Sequence, residues 1–304
     1  MFLKVVTTYL VIAFSIIFPS SQAMAVAESV EVRVPRAASL DDRLSPNYGL
    51  NRVCSSFLQN QRQCTSGSAT ARPTLALWGD SFSMHLVQAL QNSGTKVRFI
   101  AQTRSICNPI IGLAPRNSAQ GVVGATRCNN VNSEFLKYLL GRTARSSIKT
   151  VVLASHWENI LLNGKTTMDT KGALSRDPNK PRTALGLTIS KLQQAGYRVV
   201  VISSPAFSSA DTGACLRSSI NQRKSLARCN FPISSNISTN PNLLLESVSS
   251  GADKFINLAA LMCPEGTCIA SAGKILIYRD KYHLSREGSA YLGRKHDLVG
   301  QILR

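Results

Sequence analysis

Leu75-Ala76-Leu77-Trp78-Gly79-Asp80-Ser81 is the stretch whose reading decides the fold. Four consecutive apolar residues are too few for a helix and read as a short buried strand; a Gly-Asp-Ser turn ends it, and a helical pattern then runs from Phe82 to Gln91. A serine at a strand-to-helix turn stands at the rim of a sheet with the amide groups of the helix start beside it. That is the setting a nucleophile for hydrolysis or acyl transfer needs.

The same alternation continues outward from this stretch. Short apolar runs rich in β-branched residues recur at Val97 to Ala101, Thr150 to Ala154, Arg198 to Ser203 and Lys254 to Leu258. Helical patterns fall between them at Asn132 to Leu140, Thr183 to Ala195 and Asn242 to Ser249, with Gly94 and Gly196 where helix stops belong. Strands alternating with helices imply an α/β fold: a three-layer sandwich with a mainly parallel sheet flanked by helices, its active site at the carboxyl ends of the strands. Three connections, 102–130, 155–182 and 204–241, are long and rich in Ser, Asn, Gly and Pro, which marks them as functional or disordered. Gly121 and Gly124 follow no strand, so they do not form a dinucleotide fingerprint.

Upstream, Lys4 is the only charge before the apolar stretch Val5 to Phe18, and Ser21-Gln22-Ala23-Met24-Ala25 offers small residues for cleavage after Ala23 or Ala25. Residues 1–25 therefore read as an export signal. An uncleaved anchor is the rival reading, but the apolar run is shorter than the roughly 20 residues that span a bilayer. Residues 26–72 are polar and Arg-rich and read as an N-terminal arm; residues 73–304 read as one catalytic domain. The exported part is expected to be periplasmic or secreted.

All eight cysteines, Cys54, Cys64, Cys107, Cys128, Cys215, Cys229, Cys263 and Cys268, fall in the exported part, where an even number implies disulfides. About 105 connectivities are formally open. Sequential pairing is expected, because each consecutive pair brackets a loop between elements. A zinc site at Cys263 and Cys268 would need a second close Cys or His pair, and none completes it. No metal and no cofactor is expected. The formal charge of +19 would ordinarily suggest nucleic acid, but export, the scatter of the basic residues and the lack of any Lys/Arg run longer than two exclude that partner. An anionic envelope glycan or a membrane surface is the expected neighbour; a charge serving only solubility is the plain alternative.

Near the C-terminus stands Asp280-Lys281-Tyr282-His283-Leu284-Ser285. Ser81 is a poor nucleophile until a base takes its proton; His283 can take it and later return it to a leaving group, and Asp280 can hold the imidazole in the right tautomer. A spacing of three lets both side chains emerge from one turn. Ser285 then serves as the N-cap of a helix expected to run to Ile302, with Leu284 as its hydrophobic staple. Each motif alone has a structural reading, the first as an ordinary turn and the second as a capping arrangement; together, in an α/β frame, they favour chemistry. Of the other histidines, His85, one helical turn after Ser81, could approach the site but is expected to cap or pack within its helix, and His296 is expected to be solvated on a charged face.

At these residues the chain resembles the SGNH (GDSL-like) hydrolase superfamily. More narrowly it resembles the SGNH domains attached to, or working with, the type-three membrane acyltransferases that O-acetylate bacterial surface polysaccharides. The likeness runs over Pro73 to Arg304: Leu77-Trp78-Gly79-Asp80-Ser81-Phe82, Ser105-Ile106-Cys107-Asn108-Pro109, Cys128 with Asn132, Val151-Val152-Leu153-Ala154-Ser155-His156-Trp157, and Asp280-x-x-His283-Leu284-Ser285. The resemblance implies a flavodoxin-like SGNH-hydrolase fold, and serine O-acetyltransferase or O-acetylesterase activity through Ser81, Asp280 and His283. It implies an envelope polysaccharide or its acetyl esters as substrate, and a separate membrane acyltransferase as acetyl donor to what is expected to be a monomer. Members of the superfamily add oxyanion donors from a glycine after the second strand and an asparagine after the third. Neither stands cleanly here, which leaves Ser105, His156, Trp157 and Asn159 as oxyanion or substrate candidates beside the Ser81 backbone amide. A non-catalytic glycan-binding or assembly protein that keeps the fold is the reading from another class.

Overall fold

The run Leu75–Gly79 is a strand at the centre of the principal sheet. The computed structural model describes residues 39–67, 72–162, 164–233 and 241–304; the leader expected over residues 1–25 lies outside them. In chain order the elements that matter here are β1 (Thr65–Ser66), β2 (Leu75–Gly79), α1 (Ser81–Asn92), β3 (Phe99–Thr103), α2 (Gly121–Leu140), α3 (Arg142–Ser147), β4 (Thr150–Ala154) and α4 (Asn179–Gln194). They continue with β5 (Arg198–Ile202), α5 (Thr212–Asn221), α6 (Pro241–Val248), β6 (Lys254–Ile256), α7 (Arg286–His296) and α8 (Leu298–Leu303).

The sheet has six strands in the order β1-β3-β2-β4-β5-β6. β3 and β4 both pair parallel to β2, with Trp78 opposite Gln102 on one side and Leu153 on the other, and β4, β5 and β6 continue in parallel. Only the edge strand β1 is antiparallel, and through it the segment before Pro73 joins the sheet. Every residue of β2, β3 and β4 is buried, as strands covered on both faces must be. Leu75 and Leu77 point to one face, against Leu86 and Leu90 of α1, Leu292 of α7 and Ile302 of α8. Ala76 and Trp78 point to the other, against Phe135 and Leu139 of α2 and Ile189 and Leu192 of α4. The result is the expected three-layer α/β sandwich.

The chain leaves β2 toward β3 on one side and leaves β4 toward β5 on the other. Adjacent strands whose connections part in this way open a crevice at their carboxyl ends, which is where α/β sheets bind ligands. Asp80 and Ser81 follow β2 into that crevice, and His156 follows β4.

The long connections carry structure of their own. Leu113–Pro115 pairs with Thr167–Asp169, which pairs with Leu174–Ser175, forming a separate three-stranded antiparallel sheet. The third connection contains α5. The four disulfides are sequential, Cys54–Cys64, Cys107–Cys128, Cys215–Cys229 and Cys263–Cys268, and each closes a stretch between or beside these elements.

Two helices differ from their sequence patterns. α2 begins at Gly121 rather than near Asn132; its first turns hold Gly121, Gly124 and the exposed Val122 and Val123, residues of low helix propensity with no apolar period, so the tie from Cys128 to Cys107 and the bond from Asn129 Nδ2 to the Met168 carbonyl (3.1 Å) hold what propensity does not. The last helix does not run unbroken to Ile302. Asp297 adopts a left-handed conformation (φ 42°) that separates α7 from α8. Its carboxylate accepts hydrogen bonds from the Ser93 hydroxyl, the Thr95 amide and the Thr95 hydroxyl at 2.7, 2.7 and 2.8 Å, and those donors pull its pKa down to about 2. His296, just before this break, is half-buried rather than solvated, and burial, with Lys295 beside it, lowers its pKa.

Candidate active site

Gly79 makes the first constraint on the site. A Cβ there would lie 1.8 Å from the Ala154 carbonyl oxygen and 2.4 Å from Ser83 Oγ, so only glycine lets the ends of β2 and β4 close together over α1. Ser83 Oγ donates to that same carbonyl at 2.6 Å. Asp80, which is 1 % exposed, caps α1 by accepting from the Phe82 amide at 2.9 Å, and both its oxygens accept from the His156 amide at 3.1 and 2.9 Å. Burial raises the Asp80 pKa, against the pull of His156 and these amides. The aspartate thus ties the β2 turn to the β4 loop and sets where Ser81 stands.

Ser81 is the first residue of α1 and is half-exposed. Its Oγ lies 2.9 Å from His283 Nε2, and His283 Nδ1 lies 3.0 and 2.9 Å from the two oxygens of Asp280. The structure therefore brings together the three residues singled out from the sequence. Burial works to raise the Asp280 pKa; the hydrogen bond and charge of His283 and the amides of Tyr282 and His283, each at 2.8 Å, outweigh it and hold the carboxyl well below the usual carboxylate range. An ionised carboxylate only accepts, so Nδ1 carries the proton and Nε2 offers its lone pair to Ser81. Arg279 adds an ion pair to Asp280 at 3.1 Å. Gly213, in the first turn of α5, lets that helix touch the Asp280 backbone: a Cβ there would meet the Arg279 carbonyl at 2.1 Å and the Asp280 nitrogen at 2.6 Å. Ser285 caps α7 by accepting from the Gly288 amide at 2.9 Å, and Leu284 is fully buried.

His85 packs, as its helix position implied, but against the site. It is 1 % exposed; its Nδ1 accepts from the Leu284 amide at 3.3 Å and its ring lies 6.0 Å from that of His283. Burial, with the charges of His283 and Arg279, keeps its pKa well below 6.5 and the ring neutral.

The four oxyanion or substrate candidates fare differently. Trp157 is a core residue: it is fully buried and its indole donates to the Ile202 carbonyl at 2.9 Å, which corrects its assignment to the site. Asn159 spends its amide on His156 Nδ1 at 3.0 Å, while Ser105 is exposed and is held through its carbonyl by the Gln120 side chain at 3.3 Å. Neither is hydrogen-bonded to Ser81. His156 does face the site, but Asn159 and Glu158 occupy both its ring nitrogens, the latter at 3.2 Å. Its ring stacks on Phe82 at 4.4 Å and continues through Tyr282 (5.3 Å) to Phe207 (5.4 Å from Tyr282) as a half-buried aromatic wall.

Behind this surface lies a buried polar network that spacing alone does not reveal. Trp78 Nε1 donates to Asn132 Oδ1 at 2.9 Å; Asn132 Nδ2 donates to the Asn108 and Ile110 carbonyls at 2.8 and 3.1 Å; Asn108 Nδ2 donates to Ser155 Oγ at 2.7 Å. β2, α2 and the loops after β3 and β4 are thereby bonded to one another. Among the described residues no group of three or more His, Cys, Asp or Glu side chains is placed to hold a metal ion.

A serine where β2 turns into α1, bonded to a histidine that is in turn bonded to an aspartate three residues before it, is the arrangement of an SGNH-type α/β protein. The chain belongs to the family described as "SGNH domain (fused to AT3 domains)", whose profile matches residues 51–297. Among solved structures, the periplasmic domain of a lipopolysaccharide acetyltransferase from Salmonella ser. Paratyphi A superposes with a TM-score of 0.56 at 17 % identity, covering 86 % of this chain and all of that one. At that identity the likeness is one of fold. No curated protein matches the chain in sequence.

Proposed function

We propose that this chain is an exported serine acyl-transfer enzyme that moves O-acetyl groups on cell-envelope polysaccharide. The contact of Ser81 Oγ with His283 Nε2 at 2.9 Å, itself backed by Asp280, carries this reading. Ser81 Oγ attacks the carbonyl carbon of an acetyl donor while Nε2 takes its proton. Negative charge gathers on the former carbonyl oxygen beside the Ser81 backbone N–H, at the positive end of α1. The tetrahedral species breaks its bond to the donor oxygen, which leaves with the proton from His283, and the acetyl group remains on Ser81. An acceptor hydroxyl then gives its proton to Nε2 and attacks the acetyl carbon; the bond from that carbon to Ser81 Oγ breaks, and the proton passes from Nε2 back to Oγ. If the acceptor is a sugar the product is an acetylated glycan; if it is water the product is acetate.

Family membership supports transfer, and a membrane acyltransferase is the donor of that acetyl group. The aromatic wall of His156, Tyr282 and Phe207 suits the apolar face of a sugar ring better than a small free ester. Four disulfides suit an oxidising compartment outside the cytoplasm, as does the leader read in residues 1–25.

The test is a chromogenic acetyl ester given to wild type and to Ser81→Ala, with and without an oligosaccharide acceptor. The variant should lose a factor of about 10³ or more in kcat/KM at an unchanged melting temperature. Acceptor-dependent appearance of acetylated sugar establishes transfer, and acetate alone establishes hydrolysis. Turnover within tenfold of wild type in Ser81→Ala removes the serine from the mechanism.

A further inference from the structure

A second recess, of about 610 Å³, opens at the far end of the sheet from Ser81. Arg72 lies ahead of β2, Arg98 ahead of β3, and Arg142 opens α3, which leads into β4; Arg62 joins them from the disulfide-stapled segment, with Ile100 and Tyr138 among the apolar lining. Ser81 is beyond the opposite ends of the same strands, across five residues of β2, or roughly 17 Å of extended chain. The recess is therefore no part of the acyl-transfer crevice.

Its chemistry is one-sided. Four arginines line one concavity, and among the described residues no carboxylate lines it. Arg62, Arg72 and Arg142 are exposed and take part in no ion pair among the described residues. Like charges gathered in a recess with an apolar floor repel one another unless an anion sits among them, and a concave surface focuses their field outward onto such an anion. Guanidinium forks match the oxygen geometry of phosphates and carboxylates. The three exposed positive charges of Arg62, Arg72 and Arg142 around one cavity exceed what a single carboxylate neutralises; they suit a group that itself carries two or more negative charges.

We propose that this recess is an anion-binding site for a phosphate monoester or diphosphate group, separate from the chemistry at Ser81. The site does not depend on the acyl-transfer reading, and its test uses no activity measurement. The full chain is titrated calorimetrically at low ionic strength with inorganic pyrophosphate and, separately, with acetate as the singly charged comparison. Wild type should bind pyrophosphate at least tenfold more tightly than acetate, with an affinity that falls as salt is raised. The pair Arg62→Gln and Arg142→Gln should weaken pyrophosphate binding by about tenfold or more. The pair Arg116→Gln and Arg176→Gln, which removes the same charge from exposed positions outside the recess, should weaken it less than about threefold.

Co-sedimentation with vesicles containing phosphatidic acid distinguishes the source. Binding lost in the first pair alone assigns the phosphate to a lipid headgroup, and pyrophosphate binding without vesicle binding assigns it to a soluble phosphate-bearing ligand. Equal losses in the two pairs, acetate binding as tight as pyrophosphate, or no pyrophosphate binding by folded wild type would each overturn the proposal.

Discussion

Asp280 is bonded to His283 on one side and to Arg279 on the other, and its two neighbours make different demands on it. Toward His283 it sets a tautomer; toward Arg279, whose side chain is only 10 % exposed, it supplies the opposite charge. Asp280→Asn should lower turnover by about 10³ to 10⁴ with little change in KM, because an amide can present a donor to Nδ1 and impose the wrong tautomer. The melting temperature should also fall, since Arg279 loses its partner. Turnover per folded molecule is the decisive reading: a lowered melting temperature with normal turnover would reduce Asp280 to a structural cap. His85 carries a separate pH dependence. Unfolded, it titrates near 6.5; folded, burial keeps it neutral well below that, so the unfolded chain takes up a proton the native one refuses. Stability from this group is complete above pH 6.5 and is lost as pH falls below it. Calorimetric melting temperatures should therefore decline between about pH 7 and 5, and the decline should flatten in His85→Gln. Asp280, with its depressed pKa, adds stability that is lost only as pH falls below the ordinary carboxylate value of 3.8, so the two windows separate.

The strand-turn-helix of β2 and α1 is where local sequence and long-range packing agree. Leu75 to Trp78 read as a strand because four apolar residues bounded by glycine suit burial on both faces, and Asp80 reads as a cap because its carboxylate reaches the Phe82 amide. Gly79 had a local reading as a turn residue, but its strongest constraint is remote: Ala154, on a different strand, occupies the space a side chain would need. Gly79→Ala should cost about 3 kcal/mol or more in chemical denaturation and lower activity in whatever remains folded, because relief requires β2 and β4 to part at the crevice. A loss below about 1 kcal/mol would show that the two strand ends yield without disturbing the site. The two- and three-residue strands at Leu113–Pro115, Thr167–Asp169 and Leu174–Ser175 were not visible beforehand, because so few residues cannot display a period of two. The start of α2 was hidden for a related reason: tertiary ties replace propensity there.

At the scale of the whole molecule, the cysteines staple the parts with least regular structure. Cys54–Cys64 holds the segment leading to β1, Cys107–Cys128 joins the loop after β3 to α2, Cys215–Cys229 holds α5, and Cys263–Cys268 closes the turn that precedes the last loop. Non-reducing peptide mapping should recover these four links with no free thiol. Reduction should destabilise the protein by about 2 to 4 kcal/mol for each link broken, read as a drop in the denaturation midpoint. A different pairing in the native protein would contradict the arrangement of these loops.

Ser81, Asp280 and His283 were legible in the sequence because each stands in a local pattern with a chemical meaning: a strand-to-helix turn, and an acid three residues from a base ahead of a capped helix. The alternation of apolar runs and helical periods likewise determined the three-layer α/β fold, since a strand buried on both faces can satisfy its surfaces in few ways. Only the tertiary structure decided what surrounds the serine. Trp157 turned inward because its indole reaches the Ile202 carbonyl, and Asn159 was spent on His156. The Asp80 tie to the His156 amide and the Trp78–Asn132–Asn108 network join loops distant along the chain. Such bonds depend on where backbone amides and carbonyls arrive once the sheet has closed. No residue letter records those positions, so the chemistry was readable one segment at a time while the pocket around it was not.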